Sequence, residues 1–305
     1  MKEMIKEKLT EILKPEAVTE NASMAEYTSF RAGGCADLLA APENTGELRA
    51  VLRLLDSEGC PHMILGNGSN ILVRDGGYRG VIVKIGDAFD NVRVEGDKVI
   101  CGAGTRMASV ARAALTENLS GFEFASGIPG SIGGAVFMNA GAYGGEMADI
   151  LEKVHVVSPD GSCEYDISAA ELDMGYRHTA LHETGDIVTE AILKLQPGDR
   201  DEIREKMNDL NSRRNSKQPV NYPSAGSFFK RPEGHFAGAL IQDAGFKGLA
   251  VGGAQVSELH AGFIINRGGA TASDILQLME IVQAGVMDMA GVRLEPEVRI
   301  IGEEL

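Results

Sequence analysis

Only four of the 305 residues are Cys, at positions 35, 60, 101 and 163, and none falls in a CxxC or in a spacing that suits a metal. They read as buried free thiols. The six His form no HExxH motif, and no metal site is expected. No apolar run approaches the roughly 20 residues that cross a bilayer, which argues against membrane insertion. Positive charge is scarce: 29 Lys and Arg face 44 Asp and Glu, giving a net charge of −15. With no Lys/Arg-rich run, nucleic acid is not an expected partner. The phosphate-loop pattern GxxxxGK[ST] is missing as well, and so is a Rossmann fingerprint.

What the chain has in quantity is Gly, and it is clustered. Residues 121–145, GFEFASGIPGSIGGAVFMNAGAYGG, hold eight of the 38 Gly. Such density is unfavourable inside helices and strands, where each Gly costs about 0.5–1 kcal/mol relative to Ala. Its benefit is backbone placement: positive φ, and main-chain N–H groups brought close to a ligand. A solvated Gly-rich linker is the bland alternative, but Ile128, Ile132, Val136, Phe137 and Met138 are too apolar for a tether. A second Gly-rich turn, Gly66-Asn67-Gly68-Ser69-Asn70, lies between the apolar runs 63–65 and 71–73. Alone it also fits a hairpin without a ligand. Two such nests in one chain favour a diphosphate ligand.

Elsewhere the pattern alternates between helix and strand, as in α+β or α/β domains. The N-terminus reads as an amphipathic helix with Ile5, Leu9, Ile12 and Leu13 on one face rather than as a signal peptide, so a cytoplasmic protein is expected. Asn44 with Glu47 resembles a capping box ahead of a helix ended by Gly59. A long helix is expected over 272–290, with Thr271 as N-cap and Asp274 in a capping position. A last strand is expected over 294–301. The Gln218-Pro219 and Tyr222-Pro223 steps suggest a boundary near 206–222. Residues 211–231 carry Arg213, Arg214, Lys217, Lys230 and Arg231 with no Asp or Glu, a local focus for an anion in an acidic chain. The competing reading is a solvated helix end where the dipole favours cations.

Six segments occur in order: TSFRAGGCADLL at 28–39, the two Gly-rich segments, GYRHT at 175–179, SAGSFFKRP at 224–232 and LEPEVRIIG at 294–302. Through them the chain, from about Tyr27 to the C-terminus, resembles the bacterial UDP-N-acetylenolpyruvoylglucosamine reductase (UDP-N-acetylmuramate dehydrogenase) family. The resemblance implies an α+β chain with a two-subdomain FAD-binding fold of the vanillyl-alcohol-oxidase type and a C-terminal α+β substrate domain. The expected division is 1–75 with the returning strand 297–305, then 76–205, then 206–296. The length fits the family's shorter form, without the inserted Tyr loop. The implied reaction is NADPH-dependent reduction of the enolpyruvyl ether of UDP-N-acetylglucosamine, with FAD as carrier, in peptidoglycan precursor synthesis. The chain is expected to act as a monomer. Another FAD-dependent oxidoreductase of the same fold, acting on an alcohol or hydroxy acid, is the alternative.

The resemblance also implies site residues. Arg177 matches the carboxylate-binding Arg, a task that suits a planar guanidinium. Glu297 matches the acidic catalytic residue, with a raised pKa expected, and Ser227 matches the proton donor to the α-carbon. For each there is a plain structural reading: a salt bridge for Arg177, a strand-end partner of Arg299 for Glu297, a turn residue for Ser227. Lys230 and Arg177 are the substrate-binding candidates, Lys230 for the UDP diphosphate. Arg231 follows Lys230 where the longer form often has Asn. FAD contacts are expected from Arg31; from Gly66, Asn67, Gly68, Ser69, Asn70 and Ile71; from Ser126, Gly127, Ile128, Pro129 and Gly130; and from Gly133, Gly134, Ala135, Asn139 and Gly141. No His lies in the first Gly loop, so the flavin is expected to be non-covalent.

Overall fold

Apolar residues at positions 272, 275, 278, 279, 282 and 286 trace one face of a helix, and in the computed structural model, which describes residues 2–305, Ala272–Ala290 is that helix. Thr271 and Asp274 close a reciprocal capping box at its start, and Gly291 ends it in the left-handed region at φ 65°. Ile275, Leu278 and Val282 are fully buried; each such side chain contributes about 1.5–3 kcal/mol. The capping at Asn44 differs from the expected box. Its Oδ1 accepts from Glu47 N at 2.9 Å, but Glu47 reaches past the cap to accept from Glu43 N at 2.7 Å.

The chain divides into two compact units. The first comprises 1–20, 38–67 and 80–214, and the second 21–37, 68–79 and 215–305. This partition cuts across the expected boundaries at 75 and 205. The segments 21–37 and 68–79 join the C-terminal residues, because Gly and Pro mark where a chain turns but not which core its apolar residues enter. The Lys217 end of the helix Arg200–Lys217 lies three residues beyond the boundary at 214.

The first unit holds an antiparallel five-stranded sheet, ordered Glu164–Ser168, Leu151–Val157, Ile187–Lys194, Lys98–Gly102, Val92–Glu95. A second sheet is ordered Val18–Ser23, Cys35–Ala40, Tyr78–Lys84, His62–Leu65, with the last two parallel. Three of its strands pass from one unit to the other within their length. Ile5 and Leu9 of the N-terminal helix Lys2–Ile12 are buried in the core of the first unit.

In the second unit the long helix packs against strands Ala250–Val251 and Ala254–Val256, and Phe30 meets Phe228 edge-on at 6.1 Å. The final strand is shorter than expected. Arg299–Ile301 pairs parallel with Ile71–Val73, whereas Pro296, which has no N–H to donate, makes only an isolated bridge to Phe229. The Cys expectation holds for half of them: Cys60 and Cys101 are buried, but Cys35 and Cys163 are exposed.

Asp75 fastens the start of the long helix. Its carboxylate accepts from Ala272 N and Ser273 N, each at 2.8 Å, and from Ser273 Oγ at 2.6 Å. Partial burial pushes its pKa up, but these three bonds outweigh that and hold it below the ordinary value. A carboxylate with a depressed folded pKa stabilises above its unfolded pKa and loses that contribution as pH falls through the folded one. Asp75→Asn is expected to cost about 1 kcal/mol at neutral pH. The gap from wild type should narrow below about pH 4, as read by thermal denaturation over pH 3–7.

Candidate functional site

Within the first unit, the second Gly-rich segment is sewn onto residues 103–107. Ile132 N donates to Thr105 O and Gly133 N to Ala103 O, both at 2.9 Å, and Met107 N donates to Gly130 O. Gly133 is required there, since a Cβ would stand 2.9 Å from Ala103 Cβ. Ala135 is buried below it, Gly134 is exposed and Ile128 packs on the core. At the start of the segment, Ser126 Oγ lies 3.4 Å from Asn211 Oδ1, and a Cβ on Gly127 would fall 3.0 Å from Arg214 Cδ. Pro129 links these two parts.

The first nest meets this segment at Gly66. A Cβ on Gly66 would stand 2.6 Å from Ser131 Oγ, so only Gly lets the hydroxyl approach the backbone this closely. Ser131 is buried, and its Oγ has no hydrogen-bond partner among the described residues. Buried hydroxyls are seldom left unpaired, so the position calls for a ligand atom. Lys84 Nζ donates to Gly66 O at 2.6 Å. Burial pushes this ammonium's pKa down, Asp87 opposes and Arg106 adds to the push. An anion would relieve that cost. An orphan donor beside a Gly-rich backbone turn and a desolvated cation together suit an FAD diphosphate. Asn67 belongs to this unit.

Arg177 also lies in the first unit, in the left-handed region at φ 56° within the Gly175–His178 bridge. Its guanidinium donates to Asn139 O at 3.4 Å and Gly141 O at 3.3 Å, and sits 5.0 Å from the Tyr176 ring centroid. Asn139, fully buried at φ 41°, donates from Nδ2 to Gly175 O and accepts at Oδ1 from Ala148 N, both at 2.9 Å. The side chain of Asn139 and the carbonyl of Gly141 thus serve the Arg177 hairpin, beside the cofactor contacts expected of these residues. Non-Gly residues in the left-handed region each carry strain of about 1–3 kcal/mol, which tends to be stored at functional sites.

The second unit assembles Ser227, Lys230 and Glu297. Phe228 N donates to Gly262 O and Phe228 O accepts from Glu297 N, both at 2.8 Å; Lys230 N donates to Glu295 O at 2.8 Å. Asn70 closes the other side, its Nδ2 donating to Glu297 O at 3.1 Å and its carbonyl accepting from Arg299 N at 3.0 Å. Asn70 is therefore tied to Glu297, and Ile71 is a buried residue paired with Arg299; both have structural work beside the expected cofactor contact. Gly68, at φ 62°, allows close passage where a Cβ would stand 2.1 Å from Tyr27 O. Ser69 lies between it and Asn70. Arg31 is exposed and adopts φ 53°.

The basic stretch 211–231 is less uniform than its composition. Arg213 pairs with Asp209 at 2.7 Å, an acid just outside the stretch. Arg231 stacks on Phe236 at 4.1 Å, and Lys230 stands 3.8 Å from Glu295. Arg214 is half-buried, burial lowers its pKa, and the Tyr143 phenol, not a carboxylate, is the group whose charge acts on it. Lys84, Ser131 and Arg214's special status were missed by sequence reasoning. Ser131, beside the Gly130 of an already suspected loop, was the one within reach.

Two family models match the chain: the FAD binding domain over residues 36–164, and the UDP-N-acetylenolpyruvoylglucosamine reductase, C-terminal domain, over 218–301. The chain is 49% identical to the UDP-N-acetylenolpyruvoylglucosamine reductase of Caldanaerobacter subterraneus over all of both chains. It is 52% identical to that of Clostridium botulinum over 92% of this chain and 91% of that one. Among solved structures it is similar to the same-named reductase of Thermus caldophilus, with 37% identity, a TM-score of 0.80, and 91% and 97% of the two chains covered.

Ser131→Ala separates ligand binding from folding. Removing an unpaired buried hydroxyl should leave the flavin-free protein as stable as wild type or about 1 kcal/mol more so. FAD affinity should fall about tenfold, the effect of one hydrogen bond to a charged group. Calorimetry of the flavin-free protein and a fluorescence titration with FAD measure the two effects.

Proposed function

The chain belongs to the UDP-N-acetylenolpyruvoylglucosamine reductase family, and from that premise we propose that Arg177, Ser227, Glu297 and Lys230 divide the work of its reaction. That reaction is the NADPH-dependent reduction of the enolpyruvyl ether of UDP-N-acetylglucosamine to UDP-N-acetylmuramate, a step of peptidoglycan precursor synthesis. Bound FAD would supply the hydride chemistry that links NADPH to the β-carbon of the vinyl group. Ser131 Oγ, the Lys84 ammonium and the backbone of the two Gly-rich segments would hold its diphosphate.

The protein's task is to stabilise the charge that builds on the substrate and then to deliver a proton. Arg177 binds the substrate carboxylate. Its bonds to the Asn139 and Gly141 carbonyls orient the fork, and a carboxylate matches that planar fork bidentately. Glu297 stands beside the enolate as its backbone N–H and C=O hold it in place. Ser227 Oγ gives the proton to the α-carbon. Lys230 supplies a point charge to the diphosphate, for which its 3.8 Å pairing with exposed Glu295 is a weak competitor.

The observation that carries this reading is the pairing of segment 227–230 with 295–297, Glu297 N to Phe228 O and Lys230 N to Glu295 O, which brings Ser227, Lys230 and Glu297 onto neighbouring backbones. We further propose that the protein works as a monomer in the cytoplasm. A net charge of −15 disfavours self-association, and no described helix is long and apolar enough to cross a membrane.

Ser227→Ala should leave reduction of the bound flavin by NADPH unchanged and slow its reoxidation by the enolpyruvyl substrate by about 10²–10⁴-fold, the usual worth of a positioned proton donor. Stopped-flow spectroscopy of the two half-reactions tests this, and equal slowing of both would refute the role. Arg177→Lys keeps the charge but loses the fork. The expected result is a higher KM for the substrate with flavin reduction intact.

A further inference from the structure

His260 has no part in the chemistry above, yet it is built into the loop that holds the proton donor. Its Nδ1 accepts from Gly262 N at 3.1 Å. Gly262 O in turn accepts from Phe228 N, the residue next to Ser227. The imidazole is fixed from several sides. Its ring meets Phe263 edge-on at 5.1 Å, and a Cβ at Gly238 would stand 3.1 Å from its Cε1. At Gly262 a Cβ would be 3.0 Å from His260 Cε1 and 3.5 Å from Ser227 Oγ, so ring, glycine and hydroxyl lie in a row. Buried Ser257 closes the loop, its Oγ accepting from Leu259 N at 3.2 Å and His260 N at 3.3 Å.

Ser227 itself is loosely tethered: among the described residues its hydroxyl donates only to Phe229 O, at 3.3 Å. The direction of that hydroxyl therefore depends on the backbone that carries it. We propose that His260 is a positioning residue for Ser227: as a neutral acceptor for the Gly262 N–H, it fixes the backbone at Gly262, whose carbonyl holds Phe228 N, and so aims the Ser227 hydroxyl at the substrate. This inference rests on Ser227 being the proton donor.

An Nδ1 that accepts must carry a lone pair, so the ring proton sits on Nε2. Protonating Nδ1 would set two N–H groups against each other and release the backbone at Gly262. Burial lowers the His260 pKa, and among the charged groups Lys247 acts on the ring in the same direction. Glu258, on the same loop, lies against Gly248 instead, with Oε1 3.4 Å from where a Cβ there would stand. The neutral acceptor is thus the resting form down to pH values below the ordinary His pKa of about 6.5.

The test is stopped-flow measurement of both half-reactions of the FAD-loaded enzyme, over pH 5–8, in wild type, His260→Leu, His260→Asn and Ser227→Ala. His260→Leu removes the acceptor and should slow the oxidative half-reaction about tenfold, the worth of one hydrogen bond, with flavin reduction by NADPH unchanged. His260→Asn offers an amide oxygen that does not titrate. It should restore the oxidative half-reaction near neutral pH and abolish the loss of rate that wild type shows on the acid side. A His260→Leu enzyme with the wild-type oxidative rate, equal slowing of both half-reactions, or an Asn variant that keeps the acid loss overturns the proposal. Should His260→Leu fail to fold, the pH profile of His260→Asn alone decides. A Ser227→Ala enzyme with normal reoxidation would instead remove the premise, and the two failures are thereby told apart.

Discussion

The backbone of one residue carries the candidate chemistry of the second unit. Phe228 donates its N–H to Gly262 and receives the N–H of Glu297 on its carbonyl. The residue before it is Ser227, and Lys230 follows two residues on, held by the same pairing with residues 295–297. The Phe228 ring is fully buried against Phe30 and Phe229, so this backbone has no freedom to drift. A side chain on a pinned backbone loses little further entropy when it meets a ligand, and reactions sensitive to placement at the level of 1 Å reward that rigidity. The apolar packing of one phenylalanine is in this sense a prerequisite for the polar groups on either side of it.

The first unit solves a different problem, holding an anion in a chain whose net charge is −15. Here two cations are held by burial and not by surface ion pairs. Lys84 is spent on a carbonyl and Arg214 is set into the protein beside the Gly-rich loop. Each pays a desolvation cost, and both show it as a lowered pKa. Surface pairs such as Lys153 with Asp166, or Arg213 with Asp209, have no such cost and offer nothing to a ligand.

Much of this was legible in residue types. The Gly-rich segments, the Thr271 cap with Asp274, and the motifs around Arg177, Ser227 and Glu297 are local patterns whose physics is contained in a few neighbouring residues. What was not legible depends on partners far along the chain. Lys84 ends an ordinary apolar strand, and only its meeting with Gly66 O distinguishes it. His260 looks like any surface-loop His until Gly262 and Phe228 are seen together. Asn139 and Gly141 sit in a segment rich in cofactor signals, yet their hydrogen bonds go to the Arg177 hairpin, a contact that no spacing rule predicts. The final strand was overextended because the apolar pattern of 294–301 continues through Pro296, which cannot sustain a ladder. The unit boundaries were hidden for a related reason: Phe30 and Leu72 read as core residues, but nothing nearby says that their core is completed by residues 225–298.

That discontinuity has a consequence for biosynthesis. Segments 21–37 and 68–79 leave the ribosome early, while the residues they pack with are made last. At about 5–20 residues per second, Phe30 waits roughly 10–40 s for Phe228 and Leu72 waits as long for Ile300. During that interval an apolar strand and an aromatic anchor stand without their partners, beside a first unit whose own segments end at residue 214 and whose core closes sooner. The nascent chain therefore presents its most exposed surface to chaperones late in synthesis, and a stall or truncation after residue 214 would strand the molecule with one core formed and two orphaned segments of the other.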